Sequence, residues 1–379
     1  MKVLYFAKAS EIGPSSRYRI FQYVPYLKSC AVDVAVKPLF GPTYFRLILW
    51  PPVIRLVAKA IYVGSRFVKR MIELLTLGKT DLVVIEGQLF PYMGPAAERL
   101  LSKRYKFVVE LDDAIYLTYR HDGKIPAILR MSFGAIVGNR TLAGYAAGYT
   151  PNVCVIPTVV DTDRFHPMNE RNWSVASDGE RPLVIVWIGL DYNVSFLDLL
   201  VPAFQRLQKD HRVIVRIISS RPYSLSGIKT EFRPWSFNTE VADLQTSDIG
   251  IMPLPDTEWA RGKCGLKLLQ YMAVGIPCVA SPVGVNREII SDGRNGFLAA
   301  TDEEWYTRLT ALCRDPTMRF EIGRAGRNTV ESDYSLKGWA PRLAEAYRAL
   351  ADASRSADTG TATADSAGLP RASLTRRSR

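Results

Sequence analysis

Short apolar runs alternate with helical patterns twice along this chain, with a polar stretch between the two sets, and that alternation leaves few folds open. The first set is Val3–Ala7, Val32–Val36, Asp81–Glu86, Phe107–Leu111, Ala135–Gly138 and Val153–Ile156, with Ile20, Val24 and Leu27 at helical spacing inside it. The second is Leu183–Ile188, a helical pattern near Phe196 to Leu207, then Val213, Val215 and Ile217, Asp248–Met252 and Cys278–Ala280. Strands separated by helices imply βαβ units and parallel sheets. Two such sets predict an α/β chain of two Rossmann-like domains with a cleft between them, binding ligands at the carboxyl ends of the strands. The polar run Asn169 to Glu180 reads as the linker. The expected boundaries are an N-terminal domain over 1–168, a linker over 169–181 and a C-terminal domain over 182–336. Residues 352–379, rich in Ala, Ser, Thr, Gly and Arg, are expected to be a disordered tail.

The 379 residues are 47% hydrophobic and 23% charged, enough for a large core without disulfides. Cys30, Cys154, Cys264, Cys278 and Cys313 are scattered and form no CxxC pair. His121, His166 and His211 are dispersed, so the expectation is no metal site and no cofactor. The start of the chain reads as strand and not as signal peptide. No apolar run is long enough to predict a transmembrane helix.

The formal net charge of +12 is unevenly spread. Between residues 37 and 79 stand Lys37, Arg46, Arg55, Lys59, Arg66, Lys69, Arg70 and Lys79 against one acid, Glu73, with Trp50 and many aliphatics interleaved. Such a segment suits a helix on an anionic membrane surface. The alternatives are a basic helix pair packed on its own domain, or a nucleic-acid surface. No nucleic-acid motif accompanies the charge, so no nucleic-acid partner is expected.

Three stretches carry candidate chemistry. In Arg261–Pro277 a Gly-rich loop enters a short helix that Gly275 and Pro277 stop. If the helix already includes Lys263, then Lys263, Lys267 and Gln270 share one stripe, opposite Leu268, Leu269 and Met272. Lysines oppose the dipole at a helix start unless an anion such as phosphate sits there. A solvated lysine face is the plain alternative. The second stretch, Gly13-Pro14-Ser15-Ser16-Arg17-Tyr18-Arg19, repeats the logic, with Ser15 or Ser16 as the expected cap and Arg17 and Arg19 as anion partners. In the third, Glu110-Leu111-Asp112-Asp113 ends a strand. Asp112 or Asp113 there suits a base or a sugar-hydroxyl partner, only one of them facing the ligand if the two alternate along the strand. A cap, or a pair with Arg120, is the alternative. Ser281–Glu288, with Gly284, offers N–H groups to a phosphate or sugar.

The run Gly265–Ser281, then Val283-Gly284, Glu288 and Asp292–Leu298, resembles the donor-site signature of glycosyltransferase family 4. Trp187-Ile-Gly189, Phe232-Arg-Pro-Trp235 and Asp248–Leu254 fall in the places that resemblance expects. It implies a GT-B fold, two Rossmann-like domains with parallel sheets facing each other across a cleft, the nucleotide-sugar held mainly by the C-terminal one. It also implies a retaining transfer, usually without a metal, and a final helix over 337–351 that crosses back to the N-terminal domain. The family's two glutamates, eight positions apart, fall here on Gly262 and Gln270. Its Arg/Lys pair after the Gly189 strand is replaced by Leu190-Asp191-Tyr192-Asn193, and its histidine position falls on Asp112.

Residues and resemblance together assign donor binding to Gly13, Arg17, Gly189, Asn193, Trp235, Lys263, Gly265, Lys267 and Gln270. They assign acceptor binding to Ser16 and Arg19, and catalysis to Asp112, Asp113 and Lys267. The expected function is retaining transfer of a sugar from a nucleotide-diphosphosugar to a glycan or lipid-linked acceptor. It would take place in the cytoplasm, on the inner face of the cell membrane, in cell-surface polysaccharide synthesis. The alternatives are a nucleotide-sugar epimerase or hydrolase of the same fold, and a non-catalytic nucleotide-sugar-binding protein.

Overall fold

The computed structural model describes residues 1–48, 50–118, 123–168 and 181–359. The chain divides into two compact units, Met1–Thr158 with Trp339 onward, and Val159–Gly338. Most of the expected linker, residues 169–180, lies outside the described residues, as do Arg120 and residues 360–379. The unit break falls ten residues ahead of the polar run, because Val160 already bridges to Ser335.

Unit 1 is built from β1 (Lys2–Ala9), α1 (Pro14–Arg19), α2 (Val24–Ser29), β2 (Asp33–Phe40), α3 (Pro42–Ile48), α4 (Pro52–Leu75) and β3 (Leu82–Glu86). It continues through α5 (Ala96–Ser102), β4 (Phe107–Leu111), α6 (Lys124–Met131), β5 (Gly134–Val137), α7 (Arg140–Ala147) and β6 (Asn152–Val155). The strands form one parallel sheet in the order β2-β1-β3-β4-β5-β6. All of β3, β4 and β5 is buried, as runs of Val, Ile and Leu covered on both faces require. The Ile20–Leu27 pattern is not one helix: a 3-10 turn over Phe21–Tyr23 separates α1 from α2. The N-cap of α1 is Gly13, not Ser15 or Ser16, and no side chain caps it.

Unit 2 is built from β7 (Leu183–Ile188), α8 (Val201–Asp210), β8 (Val213–Ser219), β9 (Thr230–Pro234), α9 (Glu240–Gln245), β10 (Ile249–Met252) and α10 (Glu258–Arg261). After these come α11 (Leu266–Ala273), β11 (Cys278–Ala280), α12 (Asn286–Ile289), β12 (Phe297–Leu298), α13 (Asp302–Arg314) and α14 (Pro316–Asp333). Its sheet is also parallel, in the order β12-β11-β10-β7-β8-β9. Trp187, Phe204, Ile251, Leu309 and Leu312 lie in its core. The helix expected from Phe196 instead starts at Val201, with Pro202 in its first turn, after a 3-10 stretch over Asp191–Leu200. A capping box, Thr301 with Glu304, opens α13, and Asp315 ahead of Pro316 opens α14.

The last helix, α15 (Leu336–Thr359), outruns the expected 337–351. Residues 352–359 of the expected tail are therefore helical, and Arg355 ties that turn to Asp81 at 2.6 Å. Within unit 1, Leu350 of α15 packs where Gly134 leaves room; a Cβ there would lie 3.2 Å from the leucine and 2.5 Å from the Asn152 carbonyl.

Candidate donor site and its counterpart in unit 1

In each sheet the strand order reverses once, and ligands of open parallel sheets settle outside the carboxyl ends at that point. In unit 2 the reversal lies between β7 and β10. Tyr271 of α11 spans it: its hydroxyl accepts from the Ile188 N–H at 3.2 Å and donates to the Ile251 carbonyl at 3.1 Å. Gly250 makes room for that ring, since a Cβ there would lie 2.4 Å from it. The lone glycine inside an apolar strand was the only sequence sign of this contact. Burial pushes the Tyr271 hydroxyl far above its ordinary pKa, so it stays a neutral donor.

Above this bridge β7 runs into Gly189. A Cβ at Gly189 would lie 2.7 Å from the Trp187 ring and 2.8 Å from Cε of Lys267, so a bare backbone is needed there. The Lys267 ammonium stands 5.3 Å from the Trp187 ring centroid. Lys267 therefore passes directly over the end of β7, at the reversal.

α11 begins later than the stripe of Lys263, Lys267 and Gln270 assumed. Gly265 is its N-cap in the left-handed region (φ 71°), and a Cβ there would meet Ile289 at 2.4 Å. Lys263 is thus not on α11; it follows α10, whose C-cap is Gly262. It is buried all the same, with its ammonium 5.1 Å from the Trp259 ring. Lys267 stands in the first turn of α11 and Gln270, also buried, in its second. The far end closes as the sequence signals: Gly275 (φ 74°) donates to Met272 and Ile276 to Tyr271, while Arg327 of α14 donates to the Ala273 carbonyl at 2.6 Å. The helix is held firmly at the end away from the lysines.

Asn193 is buried in the 3-10 stretch after Gly189. Trp235 follows β9; its N–H bonds the Ser219 carbonyl at 2.9 Å and its indole donates to Glu240 at 2.8 Å. Glu240, fully buried, is in turn paired with Arg164 at 2.7 Å. Gly284 (φ 53°) lets its loop approach α10, with a Cβ position 2.7 Å from the Arg261 carbonyl. Ser281 and Asn286 fix that loop, Ser281 accepting from the Leu254 N–H at 2.9 Å and Asn286 donating to the Ser281 carbonyl at 3.0 Å. Unit 2 thus brings Gly189 and Lys267 together at the end of β7, with Gly265 opening α11, Lys263 in the turn ahead of that helix and Gln270 in its second turn.

Unit 1 treats its reversal, between β1 and β3, differently. Ser16 is buried over it, accepting from the Ala9 N–H at 3.0 Å and donating to Glu86 at 2.7 Å. Arg19 is buried against Glu110 at 2.5 Å, and Tyr5 donates to the same carboxylate at 3.3 Å. Glu86 and Glu110 are in-register neighbours on β3 and β4. Burial pushes Glu86 up to about 7, with Asp112 adding to the rise against Ser16 and the Lys8 amide. Burial likewise pushes Glu110 up to about 8, with Arg19 opposing. Sequence reading missed this pair, because its partners lie 70 and 91 residues away.

Gly13 turns the chain into α1, its Cβ position 2.6 Å from that of Ala9. Arg17 and Arg19 lie in the last turn of this six-residue helix, where the dipole favours cations, so no anion is needed to explain them. β4 ends at Leu111, so Asp112 and Asp113 stand in a bend, both half-exposed, and the strand alternation expected of them does not apply.

Residues 182–315, the segment that holds the lysine loop, match the family model described as glycosyl transferases group 1. That match lies wholly within unit 2. A D-inositol 3-phosphate glycosyltransferase from Geodermatophilus obscurus is 25% identical over 224 residues, covering 52% of this chain and 47% of that protein. The chain thus matches about half the length of this relative. Among solved structures, sucrose-phosphate synthase from Thermosynechococcus elongatus aligns with a TM-score of 0.66 at 14% identity, covering 93% of this chain and all of that one. A glycosyltransferase from Rickettsia africae aligns at 0.65 and 16%, covering 92% and 98%. Anabaena HepE in complex with UDP-glucose aligns at 0.62 and 14%, covering 91% and 98%. The fold is GT-B.

Proposed function

We propose that this protein is a group 1 glycosyltransferase that moves a sugar, with retention, from a nucleotide-diphosphosugar to a glycan or lipid-linked acceptor. The observation that supports this most is Lys267, laid over the end of β7 at the start of α11, beside the glycine that lets it pass. In the proposed reaction the bond from the anomeric carbon to the β-phosphate oxygen breaks, and its electron pair leaves with the nucleoside diphosphate. The acceptor oxygen forms the new bond and gives up its proton to the departing diphosphate oxygen. Lys267, Lys263 and the N–H groups opening α11 would stabilise the charge growing on the diphosphate. Gly189, Asn193, Trp235, Gly265 and Gln270 would hold the rest of the donor. Unit 1 would supply Asp112 and Asp113 to orient the acceptor hydroxyl, with Gly13 and Arg17 for the donor. Ser16 and Arg19, proposed for the acceptor, act in unit 1 as supports of α1. HepE, a structural neighbour, was captured with UDP-glucose, which supports a nucleotide-diphosphosugar as donor.

Work at the inner face of a membrane, on anionic lipid and in cell-surface polysaccharide synthesis, completes the proposal. Among the described residues no helix is long and apolar enough to cross a bilayer. A panel of nucleotide-diphosphosugars, screened first by thermal stabilisation and then for transfer to membrane-extracted acceptors, tests the reading. Stabilisation by one donor and acceptor-dependent release of nucleoside diphosphate are expected. Stabilisation without turnover would leave a binding protein, and acceptor-independent release an epimerase or hydrolase.

A further inference from the structure

α4 turns its charge inward and its apolar surface outward. Arg66 donates to the Leu39 and Pro38 carbonyls at 2.6 and 2.8 Å. Arg70, 1% exposed, donates to the Ala7 and Lys37 carbonyls at 3.1 and 2.8 Å, pairs with Glu73 at 3.2 Å and lies 4.8 Å from the Phe6 ring. Lys59 stands 5.0 Å from the Tyr44 ring. Three of the eight cations that make residues 37–79 basic, Lys59, Arg66 and Arg70, are therefore spent on the protein itself. At about 100° per residue, Val57, Ile61, Val68, Ile72 and Leu75 fall in an arc of about 60° opposite Arg70. All five are exposed, Ile61 by 69%.

The outward surface extends beyond the helix. Trp50 is exposed just ahead of it, and Leu75 meets the part-exposed Leu100 of α5 around an apolar notch. Arg46, Lys69, Lys79, Arg99, Lys103 and Arg104 are exposed on the same segments, and Glu73 is held by Arg70. A second copy of the chain would bring like charges together around this strip. Anionic headgroups would not.

We infer that α4 lies in the plane of a lipid monolayer, with Val57, Ile61 and Val68 below the phosphates, held mainly by apolar area and only steered by the exposed cations. This deepens the proposed membrane location but rests on unit 1 alone. A helix of this length gives a strip about 36 Å long, and interfacial helices sink about 5–10 Å below the headgroups.

The test is flotation of the full chain with vesicles of phosphatidylcholine alone and of phosphatidylcholine with phosphatidylglycerol, at about 0.1 and 0.5 M salt. The proposal expects binding to the anionic vesicles that survives high salt with less than about fivefold loss, and weaker but measurable binding to the neutral ones. Val57→Asp with Ile61→Asp should cost at least about tenfold at both salts, while Lys69→Gln with Lys79→Gln costs a few-fold at low salt only. Both variants change exposed side chains, so an unaltered Tm accompanies either result. Binding abolished by salt but kept by the aspartate pair would overturn insertion. So would a dimer, seen by light scattering, that the aspartates dissolve while no variant binds vesicles. Donor stabilisation measured without lipid is read separately: if it fails while flotation holds, the transfer reading falls and insertion stands, and the converse separates them equally.

Discussion

The two sheets reverse their strand order at equivalent places and finish those places in opposite ways. Unit 1 closes its reversal with a buried serine bridging β1 and β3, and with an arginine buried on a glutamate next door. Unit 2 bridges its reversal with one tyrosine hydroxyl below the surface, then leaves a glycine and a lysine above it. Paired charge in the first place orders the protein. Cationic charge at a helix start in the second place suits an anionic ligand. The same kinds of residue, Ser, Arg, Lys and Gly near a helix start, read alike in sequence; in unit 1 carboxylates on β3 and β4 receive Ser16 and Arg19, whereas in unit 2 the Lys267 side chain crosses the bare Gly189 backbone to the Trp187 ring.

The comparison can be broken in four ways. The largest effect is expected from Arg19→Ala above about pH 8, where Glu110 is ionised and would be left buried beside no cation. Loss of one partner of a buried pair costs about 3–5 kcal/mol, and chemical denaturation should show it; a loss near zero would mean that the pair supports nothing. Next, Lys267→Ala should slow transfer by about 10²-fold or more, as for other charge-stabilising donors, with Tm nearly unchanged. A large Tm loss with unaltered turnover would make Lys267 a structural residue like Arg19.

Tyr271→Phe should cost about 1–3 kcal/mol, because the Ile188 N–H loses its buried partner. Denaturation should register it; turnover should fall less than for Lys267→Ala. The smallest effect is a slope. Glu86 and Glu110 take up protons on folding, since their folded values of about 7 and 8 exceed the ordinary value of 4.5. Stability should therefore fall as pH rises from about 5 to about 8. Glu86→Gln, which still accepts from Ser16 and the Lys8 amide, should flatten that slope in a Tm-against-pH series. An unchanged slope would place the proton uptake elsewhere.

Much of this was legible in the chain. β-branched runs marked the buried strands, and Gly275 with Pro277 marked the end of α11. Gly265 did not announce that the helix would start only after it, so Lys263 was placed on the helix when it belongs to the turn before it. The unit 1 staple was illegible because Ser16 and Arg19 find Glu86 and Glu110 only after three strands have paired. The composition of α4 gave its basic charge but not its direction; that Arg66 and Arg70 point into the domain depends on where the ends of β1 and β2 leave carbonyls open.

The measurement that bears most directly on the central claim is a crystal structure with a nucleotide-diphosphosugar soaked in. The β-phosphate is expected within about 3 Å of the Lys267 ammonium, in line with the opening N–H groups of α11. A donor bound elsewhere, with Lys263 and Lys267 turned to bulk solvent, would contradict it.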